Sequence, residues 1–186
     1  MIYSWKKIVR YSLPILTLTV IIELFVGQIL QVGQDVLLQQ LPIFLISIPV
    51  INGVGGNIGS ILGAHLASGL HVGSIKLDYK DKSMNEKFLT SLVMGVSTYF
   101  FLSIGIYLMG VLGIVEMNIG FISFVFIIIA TGTVLVGLVS VISVLTAFIS
   151  FRKGIDPDDI VAPVVTTLGD SFGIIFLFVF IGVVIP

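Results

Sequence analysis

The chain contains no cysteine, so disulfides and thiolate metal sites are excluded. Charge is almost as scarce. Asp, Glu, Lys and Arg make up 10% of the 186 residues, against about a quarter in an average soluble domain. Only two histidines are present. His65 and His71 are six residues apart and would sit on nearly opposite sides of a helix, so they are read as incidental, without metal-ligand spacing. The basic residues fall in short clusters beside apolar runs, which excludes a basic nucleic-acid-binding face. No low-complexity segment, long linker or internal repeat is seen, so residues 1–186 read as one transmembrane domain.

Apolar residues are what the chain has in excess: 57% are hydrophobic, and the mean hydropathy is +1.20. So much apolar surface has to face lipid, where only helices and closed barrels satisfy every backbone polar group. A spanning helix takes roughly 20 apolar residues. That window predicts an all-α, polytopic membrane protein with five spans, at about 12–32, 41–70, 88–112, 119–151 and 160–184. The basic start, with Lys6, Lys7 and Arg10, resembles a signal peptide, but no small-residue cleavage site follows, so the first span is read as retained.

Charge placement tests this layout independently. With five spans, the N-terminus, the loop after span two and the loop after span four share one side of the membrane. All nine Lys and Arg residues (Lys6, Lys7, Arg10, Lys76, Lys80, Lys82, Lys87, Arg152 and Lys153) fall on that side. The positive-inside rule makes it cytoplasmic and puts the C-terminus outside.

Four polar features sit at membrane depth. Asp170 lies near the middle of span five, where an ionised carboxylate costs about 2.5–3.5 kcal/mol or more. No Lys or Arg at that depth neutralises it, which leaves a bound cation or a protonated, structurally bonded acid. The second feature is the stretch Asn52-Gly53-Val54-Gly55-Gly56-Asn57-Ile58-Gly59-Ser60 in span two. Each helix-interior glycine costs about 1 kcal/mol against alanine, so a break is expected here. Freed carbonyls with Asn52 and Asn57 would suit a hard cation. Close helix packing through Gly55, Gly59 and Gly63 is the other reading, and the two are compatible. Glu23 in span one is the third; pathway entrance, second carboxylate, titrating group and structural role stay open. The fourth is Pro163, which with Thr166 and Thr167 is placed to expose carbonyls beside Asp170. The acidic Asp156, Asp158 and Asp159 read as helix N-capping, or as a cation-collecting rim.

Two of these segments together resemble a known family. Pro49-Val50-Ile51-Asn52-Gly53-Val54-Gly55-Gly56-Asn57-Ile58-Gly59 resembles the Gly-Gly-Asn-x-Gly break in the second span of MgtE-type divalent-cation transporters. Gly154-Ile155-Asp156-Pro157, then Ala162-Pro163-Val164-Val165-Thr166-Thr167 and Asp170, resembles that family's fifth-span signature. Leu13-Pro14 before span one is a weaker match. The resemblance implies a magnesium-preferring pathway, lined by spans two and five, in a homodimer. Asp170 matches the central ion-binding carboxylate and Thr166 a position offering its carbonyl, while Asn57 and its flanking Gly56, with Gly53 and Asn52, match the second-span contribution. Thr167, Ala162 and Glu23 are candidate pathway residues. No organic cofactor is implied; the cation, Mg²⁺ by resemblance, is the cargo. The chain departs from the pattern at Ser60 and Ile61, where bacterial members usually carry Asn or Thr and then Gln. The family's N-terminal magnesium-sensing regions have no counterpart in these 186 residues, so gating by them is not expected.

Two other functions fit parts of the pattern. A sodium- or proton-coupled exchanger would use Glu23 with Asp170. An intramembrane aspartyl protease would use Leu168-Gly169-Asp170, but Thr167 stands where its motif needs Gly, and Glu23 is not an aspartate. The chain is therefore read as a transporter and not an enzyme.

Overall fold

A computed structural model describes residues 5–76 and 81–185, with the side chains of residues 5–8, 34, 36, 38 and 39 outside that description. Asp78 and Lys80 of the charged loop, and the side chains of Lys6 and Lys7, therefore lie outside the described residues. The described chain is all helical: α1 (Trp5–Gln39), α2 (Pro42–Val72), α3 (Lys82–Val111), α4 (Phe121–Arg152) and α5 (Val161–Val184), with a 3₁₀ turn at Pro157–Asp159 before α5. Among the described residues, five helices are long and apolar enough to cross a membrane.

Local chemistry fixes the helix ends. Pro42 opens α2 in the first-turn position, where a missing N–H costs nothing. Gly73 closes it in the left-handed region at φ 76°, its N–H reaching the Leu70 carbonyl. Asp81 caps α3 by accepting from the Met84 N–H at 3.1 Å. Gly154, at φ 70°, ends the turn after α4. Asp156 then caps the 3₁₀ turn, accepting from the Asp158 N–H at 3.1 Å, which bears out its N-capping reading.

α2 is the hub of the bundle, packing on α5, α4, α3 and α1, while α1 rests on α5 and α2. Phe44, Ile51, Leu62 and Leu66 of α2, Phe124, Ile127, Leu135 and Phe148 of α4, and Val165 and Leu177 of α5 are buried. Apolar side chains also point outward in number, Val32 at 86% exposure and Ile122 at 83% among them. Such a surface is stable in lipid and costly in water.

Beyond the earlier starts of α1 at Trp5 and of α3 at Lys82, two features differ from expectation. The polar stretch 33–40 is not a loop: α1 continues through Asp35 to Gln39, and the turn to α2 is reduced to Gln40 and Leu41. The buried Leu37 keeps that last turn anchored to the bundle.

The other difference concerns span two. The expected break at Asn52–Ser60 is absent, and α2 is one continuous α-helix from Pro42 to Val72. Packing accounts for the glycines instead. A Cβ on Gly55 would lie 2.7 Å from Leu135 Cδ2, and one on Gly56 would lie 3.2 Å from Thr166 Cγ2. At Gly59 it would strike Val165, and at Gly63 it would strike Val161. The missing side chains let α4 and α5 come close on both sides, and that contact outweighs the intrinsic helix penalty. No backbone carbonyls are freed along this stretch; the Gly59 carbonyl, and that of Ile51 just before it, each accept a second, side-chain hydrogen bond.

Candidate functional site

Asp170 lies midway along α5, half-buried, one helical turn after Thr166 and two after Ala162. The three form a ladder of partly exposed positions on one side of the helix. Beside it, Gly53 and Asn57 occupy the exposed side of α2. The two helices meet where Gly56 faces Thr166 and Gly169: a Cβ on Gly169 would lie 3.6 Å from the Gly56 nitrogen. Small residues on both helices thus bring Asn57 and Asp170 to neighbouring edges of one open face.

Asn52 sits on the inner side of that seam. Only 8% exposed, it donates through Nδ2 to the main-chain carbonyl of Asp170 at 3.2 Å. Its Oδ1 is buried with no hydrogen-bond partner. The oxygen lies against the Cα of Gly173, where any larger residue would collide with it. A neutral amide thus ties α2 to the turn that carries the carboxylate.

Thr166 turns its hydroxyl back along α5, to the carbonyls of Ala162 at 2.9 Å and Pro163 at 3.2 Å. Pro163 has no N–H and sits in the first turn, where none is needed, so the helix is regular there. Thr167 points the other way. It is buried and donates to Glu23 Oε1 of α1 at 2.9 Å. Asp170 follows Thr167 by three residues, so the two carboxylates sit on either side of the same α1–α5 contact.

Of the expected residues, Asn52, Gly56, Thr166, Thr167, Asp170 and Glu23 are brought together around the α1–α2–α5 junction. Gly53 and Asn57 join them only as the exposed edge. Among the described residues, no group of three His, Cys, Asp or Glu side chains is arranged to hold a metal ion.

Other polar partners were not legible in the sequence. Tyr99 of α3 is fully buried and donates to the Ile51 carbonyl at 2.7 Å. Ser143 of α4 donates to the Gly59 carbonyl at 2.9 Å. These hydroxyls clamp the glycine stretch from the side away from Asp170, and isolated Tyr and Ser in apolar runs carry no signal of such a role. His71, read as incidental, is not: its Nε2 lies 3.3 Å from Asp156 Oδ1, and its ring packs edge-on to Phe151. This contact ties the end of α2 to the turn before α5.

A family model for MgtE, described as a divalent cation transporter, matches residues 48–180. The chain belongs to the MgtE family. The match takes in the glycine stretch of α2 and all the α5 positions described above. No curated protein and no solved structure matches the chain. As an MgtE-family member with five membrane-length helices, it is a multi-pass membrane protein of a transporter family rather than an enzyme family.

Proposed function

We propose that the chain carries Mg²⁺ across the membrane, as a homodimer whose pathway runs along the face shared by α2 and α5. The observation that carries this reading is the half-buried Asp170, set in the middle of α5 beside a glycine-lined helix in a protein of a divalent-cation family. A carboxylate at that depth is affordable if a cation compensates its charge.

Mg²⁺ dehydrates reluctantly and usually keeps several waters. Asp170 from each of two copies, with the Thr166 carbonyl and the Asn57 amide at the edges, would bind the hydrated ion through its water shell. Gly53 and Gly56 keep the wall of the path free of side chains, and Asn52 holds the Asp170 turn from behind. Ala162 lies one turn nearer the cytoplasmic end than Thr166. By the positive-inside rule the N-terminus is cytoplasmic and the C-terminus external.

A second reading, exchange coupled to sodium or protons, draws support from Glu23, which is bonded to Thr167 three residues before Asp170. The two differ in energy source. A channel needs only the Mg²⁺ gradient, whereas an exchanger stops without a sodium or pH gradient.

The test is Mg²⁺ uptake into proteoliposomes holding the purified protein. Asp170→Asn and Asp170→Ala should each reduce uptake at least tenfold, with Mn²⁺, Co²⁺ and Ca²⁺ compared in the same assay. Wild-type uptake by Asp170→Ala would remove Asp170 from the pathway.

A further inference from the structure

Hydroxyls inside helices commonly turn back to a carbonyl one turn earlier. The chain does this at Thr17, Thr90, Thr98, Thr166 and Ser171. Thr167, like Ser143, is an exception. Its hydroxyl crosses to another helix and donates to Glu23 Oε1 at 2.9 Å. Thr167 is only 2% exposed, so the donor end of that bond is buried, while Glu23 itself is exposed.

The partner, itself exposed, borders the packed stripe of α1. Thr19 and Val26 are buried along it, and Gly33 receives the ring of Phe178 from α5. Glu23 follows Thr19 by four residues and precedes Val26 by three, so it lies on the same side of the helix. Between these packing contacts, its bond to Thr167 is a polar tie between α1 and α5. Asp170 is three residues beyond Thr167, less than one turn along the same helix. A rotation of α5 that breaks the Glu23–Thr167 bond also swings Asp170 away from the edge it shares with Asn57.

We infer that Glu23 is a positioning residue for the cation path: by holding the Thr167 hydroxyl it sets the rotation of α5 and hence the direction in which Asp170 presents its carboxylate. The inference rests on the proposed role of Asp170. Glu23 is not required to touch the ion. A carboxylate suits the task because a charge-assisted hydrogen bond is shorter and stronger than a neutral one, which offsets part of its cost at this depth.

The experiment measures the Mg²⁺ concentration dependence of proteoliposome uptake for Glu23→Leu, Glu23→Gln, Thr167→Val, Thr167→Ser and the double variant Glu23→Leu/Thr167→Val. Melting temperature in detergent is recorded for each. Glu23→Leu and Thr167→Val should each weaken apparent Mg²⁺ affinity by roughly tenfold. The double variant should be no worse than either single one, because both remove the same bond. Glu23→Gln and Thr167→Ser retain an acceptor and a donor, and should stay within about threefold of wild type. Purely structural support would lower the melting temperature without moving the affinity. That outcome, additive losses in the double variant, or loss in Glu23→Gln as large as in Glu23→Leu would overturn the inference. Thr167→Val is nearly isosteric, so the test stands if Glu23→Leu fails to fold. Absence of uptake by the wild type, or full uptake by Asp170→Asn, would instead sink the proposed function. A flat Glu23 and Thr167 series with Asp170→Asn inactive would sink this inference alone.

Discussion

Asn52 is bonded to the backbone of Asp170, not to its carboxylate: Nδ2 reaches the main-chain carbonyl at 3.2 Å, while Oδ1 stays buried without a partner against Gly173. The carboxylate is thereby left available to the open face of the subunit. An unsatisfied buried oxygen costs about 1–3 kcal/mol, so this pairing is kept at some expense to stability.

That relationship yields a swap experiment. Gly173→Ala should be destabilising, by about 1–3 kcal/mol, because the new methyl meets Asn52 Oδ1 in a packed seam. Asn52→Ala removes both the unpaired oxygen and the obstruction, so Gly173→Ala should cost much less in that background. Denaturation midpoints of the two single variants and the double variant in detergent provide the measurement. Equal costs in both backgrounds would mean that the Asn52 side chain does not occupy that space.

The glycines of α2 and α4 are predicted to divide by what they face. Gly59→Ala puts a methyl into Val165 and Val139, and should cost about 1–3 kcal/mol with loss of α2–α5 packing. A methyl on Gly137, within α4, would meet nothing within 4 Å. Gly137→Ala should therefore be neutral, or stabilise by up to about 1 kcal/mol through helix propensity. Thermal unfolding of the two variants side by side checks the contrast.

The same contrast explains which parts of the fold were legible in the sequence. Span number came from apolar run length and from basic residues on alternate loops, both one-dimensional signals, and the helices appear where those signals placed them. Asp170 and Asn57 stood out because polar groups are rare at such depth. The continuity of α2 could not be read the same way. Intrinsic propensity counts the glycine penalty along the chain, whereas the compensating contacts of Gly55, Gly56, Gly59 and Gly63 come from α3, α4 and α5. Tertiary packing won over local preference there. Glu23–Thr167 and His71–Asp156 were illegible for a related reason, since their partners lie 144 and 85 residues apart.

Asp81 gives a prediction in pH. The Met84 backbone N–H, with smaller help from the Lys76 N–H and the Lys76 charge, holds its carboxyl below the usual carboxylate range despite an opposing effect of partial desolvation. A carboxyl whose pKa is lower folded than unfolded stabilises fully above the unfolded value, and the contribution fades as pH falls through the folded one. The start of α3 should therefore loosen only in acid, below about pH 4. Asp81→Asn still caps the helix and should flatten that dependence, while Asp81→Ala should lower stability at neutral pH as well. Melting temperature against pH for the three proteins distinguishes the cases; an unchanged acid limb in Asp81→Asn would assign the effect to other carboxyls.

The lack of native cysteine makes the proposed homodimer directly testable, because an engineered thiol has no background. Asn57 is exposed on the face that carries Asp170, whereas Phe101 is 70% exposed on α3, a helix that packs on α4 and α2 rather than on α5. If two copies enclose the pathway along their α2 and α5 faces, Asn57→Cys should give a covalent dimer with a short bismaleimide in native membranes. Phe101→Cys, facing lipid, should stay monomeric. Mg²⁺ should change the Asn57→Cys yield severalfold, since ion binding between the subunits alters the spacing or the access of that edge. Equal cross-linking at both positions would mark collision rather than assembly. No cross-link at Asn57, with Phe101→Cys linking efficiently, would move the interface to α3 and leave the α2–α5 face as a pathway within a single subunit.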